Sequence, residues 1–251
     1  MVQSAPIVHL AILSDIHGNL TALDAVLRSI ETRGPFNHVV VAGDLAWGGP
    51  WPRQVIERLI EINALGVMGN MDAYMLSASS PIPTREETLF GREHPVTQWM
   101  CAQLTDETRN YLAQLPFARR FEPDPPARLL IVHANVHNLD DSIYPDAPDA
   151  EIRPLIQGAE ADVIAYGHVH VNGQRQLDQT LLVNVSSVGI PTDGDTRAAW
   201  DEFEWDAAHH RWNITVHRVA YDVESVVREL YAVHRPEPEK WIKRLRTARW
   251  E

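Results

Sequence analysis

The stretch Ile7-Val-His-Leu-Ala-Ile-Leu-Ser-Asp-Ile-His-Gly-Asn19 decides how the rest of the chain is read. Its apolar run is too short to span a membrane and has no basic residue before it, so neither a span nor a secretory leader is expected. Residues 7–14 read instead as a buried strand, and polar side chains gather where it stops: Ser14, Asp15, His17 and Asn19. Residues 20–30 then read as a helix, with Leu20, Leu23, Val26, Leu27 and Ile30 on one stripe. The alternation continues with a strand over 38–42, a helix over 53–62 and a strand over 65–68. Short apolar strands separated by helices predict a parallel sheet covered on both faces.

Between Asp72 and Pro126 the pattern breaks into polar segments and helices, one of them over 107–115, which predicts a helical lid or insertion over 72–127. Strands return over 128–132, 162–166 and 180–185, followed by a hairpin of 198–204 against 212–219. The late strands are crowded, so the second half is expected to be mixed rather than parallel. Two helices, over 223–233 and 237–247, end a single domain spanning 1–251, with 198–251 as its closing hairpin and helices.

The 251 residues are 45% apolar, enough for a substantial core. Cys101 is the one cysteine, so an internal disulfide and a thiolate metal cage are excluded, and His, Asp, Glu and Asn remain as ligands. A net charge of −12 opposes a broad grip on nucleic acid or an anionic membrane. An anionic substrate would need a local positive charge, which a bound metal supplies. Neither class of partner is expected, and a cytoplasmic location is. The most basic stretch, 240–249, spreads its charges through a predicted helix rich in Trp, Ile and Leu, and reads as a solvated face.

In open α/β sheets, ligands gather beyond the carboxyl ends of the strands. Here those ends carry Ser14-Asp15-Ile16-His17-Gly18-Asn19, Gly43-Asp44, Gly69-Asn70-Met71-Asp72, Val132-His133-Ala134-Asn135 and Tyr166-Gly167-His168-Val169-His170. Singly, such residues are common caps and turns. Five consecutive ends with metal-type side chains are not explained that way. Oxygen and nitrogen donors suit Mn, Fe, Co or Zn. Asp15, His17, Asp44, Asn70, His133, His168 and His170 are too many for one tetrahedral site and suit two ions sharing a carboxylate.

In order and spacing, Asp15/His17, Gly43-Asp44, Gly69-Asn70-x-Asp72, His133 and Gly167-His168-x-His170 resemble the calcineurin-like metallophosphoesterases. The tracts Gly43 to Pro50, His133 to Pro145 and Asn184-Val-Ser-Ser-Val-Gly-Ile-Pro191 are similar to the small bacterial and archaeal phosphodiesterase-like branch. The resemblance implies an α/β fold, an αββα sandwich of two mixed sheets flanked by helices. It implies that Asp15, His17, Asp44 and His170 hold one divalent ion, and that Asp44 bridges to a second held by Asn70, His133 and His168. Asp15, Asp44, Asn70 and His133 become the catalytic set. Manganese is the favoured metal, and a bridging hydroxide would attack a small phosphate ester in line.

Phosphatases of that family carry a histidine between the Asn and the acid, which protonates the leaving group. This chain has Met71 there, and a thioether has no proton to give. Losing such assistance raises the barrier by roughly 3–5 kcal/mol, so stable leaving groups are favoured and a phosphodiesterase is the first expectation. Met71, Asp72 and His137 are the candidate substrate contacts. A phosphomonoesterase would fit if another acid such as His137 took the role. A scaffold of the same fold is a third reading, opposed by the complete ligand set.

Overall fold

The computed structural model describes residues 8–78, 94–123 and 127–250; stretches 79–93 and 124–126 of the predicted insertion lie outside them. The first half runs β1 (His9–Leu13), α1 (Leu20–Glu31), β2 (His38–Val41), α2 (Pro52–Glu61), β3 (Leu65–Gly66), α3 (Asn70–Ser77), α4 (Pro95–Ala102) and α5 (Asp106–Ala113). The second runs β4 (Arg119–Phe121), β5 (Leu129–Ile131), α6 (Asp149–Ile156), β6 (Val163–Tyr166), β7 (Gly173–Leu177), β8 (Thr180–Asn184), β9 (Ala198–Asp206), β10 (Arg211–Val219), α7 (Val223–Ala232) and α8 (Pro238–Thr247).

Two five-stranded mixed sheets result, ordered β10-β9-β1-β2-β3 and β4-β5-β6-β8-β7. In the first, β1 pairs parallel with β2 and antiparallel with β9. In the second, β5, β6 and β8 are parallel, with β4 and β7 antiparallel at the edges. Side-chain alternation along β1 explains the layers. Leu10 and Ile12 join Leu129, Ile131, Val183 and Phe203 in the core between the sheets. Ala11 and Leu13 turn the other way, into a helical layer with Leu23, Val26, Val55 and Leu59. Leu10 and Ile12 are fully buried, so truncating either to alanine is expected to cost ~2–5 kcal/mol. On the far side, Ile152 of α6 packs against Leu130, Ile164 and Leu182.

Within the predicted insertion, Tyr74, Met75, Met100 and Leu112 share one core with Leu13 and Leu59, so α3, α4 and α5 belong to the body that covers the first sheet. Three elements were not foreseen. β4 (Arg-Arg-Phe) and β7 (Gly-Gln-Arg-Gln-Leu) are polar edge strands, whose solvated flanks remove the apolar signal. α6 contains Pro154, which reads as a breaker. No helix among the described residues is long and apolar enough to cross a membrane.

Candidate metal centre

Both sheets deliver their carboxyl ends to one place. Asp15 and His17 follow β1, Asp44 follows β2, and Asn70 opens α3 after β3; His133 follows β5, and His168 and His170 follow β6. Asp15, His17, Asp44, His168 and His170 all have positive φ, between 51° and 70°. For residues with a Cβ this left-handed conformation costs on the order of 1 kcal/mol or more each, and such strain collects where geometry must be held. The loops hold one another: Asp15 N–H donates to Gly43 O at 3.0 Å, His17 N–H to Asp44 O at 3.0 Å and Gly18 N–H to Leu45 O at 2.9 Å. Gly167 lets the second sheet approach, since a Cβ there would lie 1.8 Å from Ser14 Oγ and 2.5 Å from Asp15 Oδ2.

Each imidazole is set by a backbone carbonyl. His17 Nδ1 lies 2.7 Å from Trp47 O, His133 Nδ1 2.8 Å from Ala42 O, His170 Nδ1 2.9 Å from Ile190 O and His168 Nε2 3.0 Å from Asp140 O. A carbonyl can only accept, so these nitrogens carry the protons and the opposite ones present lone pairs. The lone pairs converge: His17 Nε2 and His170 Nε2 are 3.0 Å apart, and His133 Nε2 and His168 Nδ1 are 3.2 Å apart. Asn70 Oδ1 sits 2.9 Å from His133 Nε2, again acceptor against acceptor. Asp15 Oδ2 accepts from Ser14 Oγ–H at 2.6 Å and His168 N–H at 3.0 Å, leaving the fully buried Oδ1 without a hydrogen bond. Facing lone pairs and an orphaned carboxylate oxygen repel one another unless a cation lies among them, so the donor set fits metal ions. Asp44 stands between the two groups, with Oδ2 3.7 Å from His17 Nε2 and Oδ1 3.5 Å from His133 Nε2.

The electrostatics agree. Burial lowers His17 to about 3 and His168 to about 4, with neighbouring imidazoles adding to it, so both are neutral at pH 7. Burial pushes Asp44 up, reinforced by the Asp15 and Asp72 carboxylates. Burial also raises Asp15, but the His170, His133 and His17 imidazoles outweigh it and hold the carboxyl below the usual range.

The three expected substrate contacts separate. Met71 is buried, packs into the helical core and also lines the cavity; its N–H donates to Asp44 Oδ1 at 2.9 Å. Asp72 is fully buried and accepts from three backbone N–H groups, those of Asp44 (2.9 Å), Leu45 (2.9 Å) and Gly69 (3.1 Å). Its carboxylate therefore positions the Asp44 loop and does not face the cavity: an acid this short, at the start of α3, reaches the backbone first. His137 is exposed and bonds Pro154 O at 3.0 Å through Nε2, away from the centre. Ser187, whose Oγ–H donates to Asp15 O at 2.7 Å, holds its turn.

A cavity of about 450 Å³ opens over these residues. Beyond His17, Asp44, Asn70, Met71, His168 and His170 it is lined by His94, Arg235, Lys240, Arg244 and Trp250. The stretch 240–249, expected to be a solvated face, thus supplies part of the cavity wall. Lys240 and Arg244 are one helical turn apart with the buried Trp241 beside them, a spacing that could have revealed the face.

Residues 8–202 match the family model of the calcineurin-like phosphoesterase superfamily domain, and the chain belongs to that superfamily of phosphate-ester hydrolases, which generally use divalent metals. An uncharacterized protein of Methanocaldococcus jannaschii is 27% identical, aligned over 91% of this chain and 94% of its own. The crystal structure of a metallophosphoesterase from Sphaerobacter thermophilus has a TM-score of 0.75 and 25% identity, covering 96% of this chain and 99% of that one. A hypothetical protein from Pyrococcus horikoshii shares the fold at a TM-score of 0.78 and 22% identity, over 95% of this chain and 97% of that one.

Proposed function

We propose that the protein is a phosphodiesterase with two divalent ions, manganese first among them. The observation that supports it is the convergence of unprotonated imidazole nitrogens, Asn70 Oδ1 and Asp15 Oδ1 on two sides of Asp44. Asp15, His17, Asp44 and His170 would hold one ion, and Asp44, Asn70, His133 and His168 the other. When bound, such a pair activates water and neutralises charge on a phosphoryl group. The chain's own residues orient and exclude: backbone carbonyls fix every imidazole tautomer, Asp72 pins Asp44, and the cavity admits the ester beside Met71. Met71 gives the leaving group no proton, which favours diesters with stable leaving groups over alkyl monoesters.

Rates of manganese-reconstituted protein on bis(p-nitrophenyl) phosphate and p-nitrophenyl phosphate test this. The diester is expected to be faster, with close to two metal ions per chain by elemental analysis. Faster monoester cleavage would favour a phosphomonoesterase. Protein without bound metal, and inactive on metal addition, would favour a scaffold.

A further inference from the structure

The cavity has two unlike parts. One is the ligand cluster; the other is Arg235, Lys240 and Arg244, with Glu237 the single carboxylate beside them. That is an excess of two positive charges in a chain whose net charge is −12. Glu237 acts on Arg235, and its Oε1 also lies 3.5 Å from His94 Nε2, which leaves Lys240 and Arg244 as the uncompensated pair. Among the described residues, none accepts a hydrogen bond from the side chain of Lys240 or Arg244, and neither side chain forms an ion pair. Arg244 is half-buried, with its guanidinium carbon 4.0 Å from the Trp250 ring centre. Stacking engages the face of a guanidinium, while its N–H donors lie in its plane and stay available. Leaving a half-buried cation unpaired destabilises the fold, an expense that an anionic ligand would offset.

The wall is also fixed before any ligand arrives. Arg235 donates from Nε to Gly48 O at 3.1 Å, and from Nη1 to Pro236 O and Glu237 O at 2.7 and 2.6 Å. Trp241 lies directly on Gly48, where a Cβ would come within 2.0 Å of its Cη2. The loop that begins at Asp44 is thereby bolted to α8, which sets the distance between the two parts of the cavity. Arg235 acts as a positioning residue; Lys240 and Arg244 have uncommitted donors.

We propose that Lys240 and Arg244 form a second anion subsite, selecting phosphodiesters that carry a further phosphate remote from the scissile bond. This deepens the phosphodiesterase reading and rests on it. Arg244 supplies planar, paired donors suited to a phosphate, and Lys240 a point charge.

Two diesters that differ by one phosphate give the test: thymidine 5′-(p-nitrophenyl phosphate) with and without a 3′-phosphate. Manganese-loaded protein should prefer the phosphorylated ester by roughly tenfold in kcat/KM, the size of one well-made charged contact. The double variant Lys240→Gln/Arg244→Gln should bring that ratio near one while hydrolysing bis(p-nitrophenyl) phosphate within about twofold of wild type. Arg244→Lys should keep part of the preference. Arg246→Gln, on a residue paired with Glu224 at 2.7 Å, should leave it whole. Calorimetry with thymidine 3′,5′-bisphosphate should show roughly tenfold weaker binding to the double variant. Diester cleavage with a wild-type ratio near one, or a ratio unchanged in the double variant, overturns the subsite and leaves the reaction reading standing. Bisphosphate binding that depends on Arg244 in a protein cleaving no diester supports the subsite and overturns the reaction.

Discussion

The loops that carry the candidate ligands and helix α8 line the same cavity and are built in opposite ways. In the loops the backbone is left-handed at Asp15, His17, Asp44, His168 and His170, and the outer nitrogen of each imidazole is held by a carbonyl. On α8 the backbone is regular helix, anchored by Trp241, Ile242 and Leu245, and Lys240 and Arg244 reach the cavity on long side chains. Groups that must share an ion within tenths of an ångström need a fixed, strained frame. Groups that attract an anion do not. Substitutions in the loops should therefore abolish function, and those on α8 should tune it.

The largest expected effect is that of Asp44→Asn. An amide keeps an oxygen for the Met71 N–H, so the fold should survive, but the shared negative charge between the two halves of the centre is gone. Activity should fall by at least about 10²–10³-fold together with metal content, measured by elemental analysis on protein of unchanged circular dichroism. A variant that keeps both ions would dissolve the distinction between loops and wall.

Acid should separate them next. His17 and His168 have folded pKa values of about 3 and about 4, below the ordinary 6.5. At these two sites the unfolded chain binds more protons than the native one, so their contribution to the stability of the metal-free protein falls as pH drops from about 6.5 toward 4, while the raised carboxyls of Asp44, Asp72 and Asp201 act in the opposite direction. The slope should approach about 1.4 kcal/mol per pH unit for each histidine. Urea titrations across this range should show the same pH dependence in Lys240→Gln/Arg244→Gln as in wild type, and in His168→Asn one that lacks the contribution of that histidine.

Asp72→Asn probes the support beneath the loops. One amide oxygen cannot serve three N–H donors, and the new NH₂ would face a donor, so a loss of about 2–3 kcal/mol is expected in chemical denaturation. A loss near zero would show that the Asp44 loop holds itself.

Met71→His should have the smallest and most selective effect. Placed at the cavity, an imidazole should raise kcat/KM on poor leaving groups by up to about 10²-fold and leave p-nitrophenyl esters nearly unchanged. Equal slopes of rate against leaving-group pKa in the two proteins would defeat the missing-acid explanation. A uniform loss on all substrates would assign Met71 to packing alone, which its place in the helical core also supports.

The loops were legible because each candidate ligand follows an apolar strand, and strand period and polar punctuation are local signals. That logic brought together all seven candidates, Asp15 to His170. It failed where contact is set at a distance. Nothing near Asp72 says that its carboxylate will find the N–H groups of Asp44 and Leu45, 28 and 27 residues away. His137 follows His133 in sequence, yet the turn built on Asn135, which accepts from the N–H groups of His137 and Asn138, carries it outward. The face of α8 was hidden because a charged stripe looks the same whether it meets water or a cavity. β4 and β7 escaped notice because edge strands need no apolar face.

The seam between the sheets also sets an order of events. Asp15 and His168, which touch through the Asp15 Oδ2 hydrogen bond, are 153 residues apart. Closing so long a loop costs entropy that only the docked sheets can return, so contacts of this span form late in folding. The ions would then meet a frame already assembled, and metal capture should follow collapse rather than nucleate it. Refolding followed by tryptophan emission should run at the same rate with or without manganese, while the unfolding rate slows when the metal is present, because a clamp closed after the barrier resists opening without hastening closure.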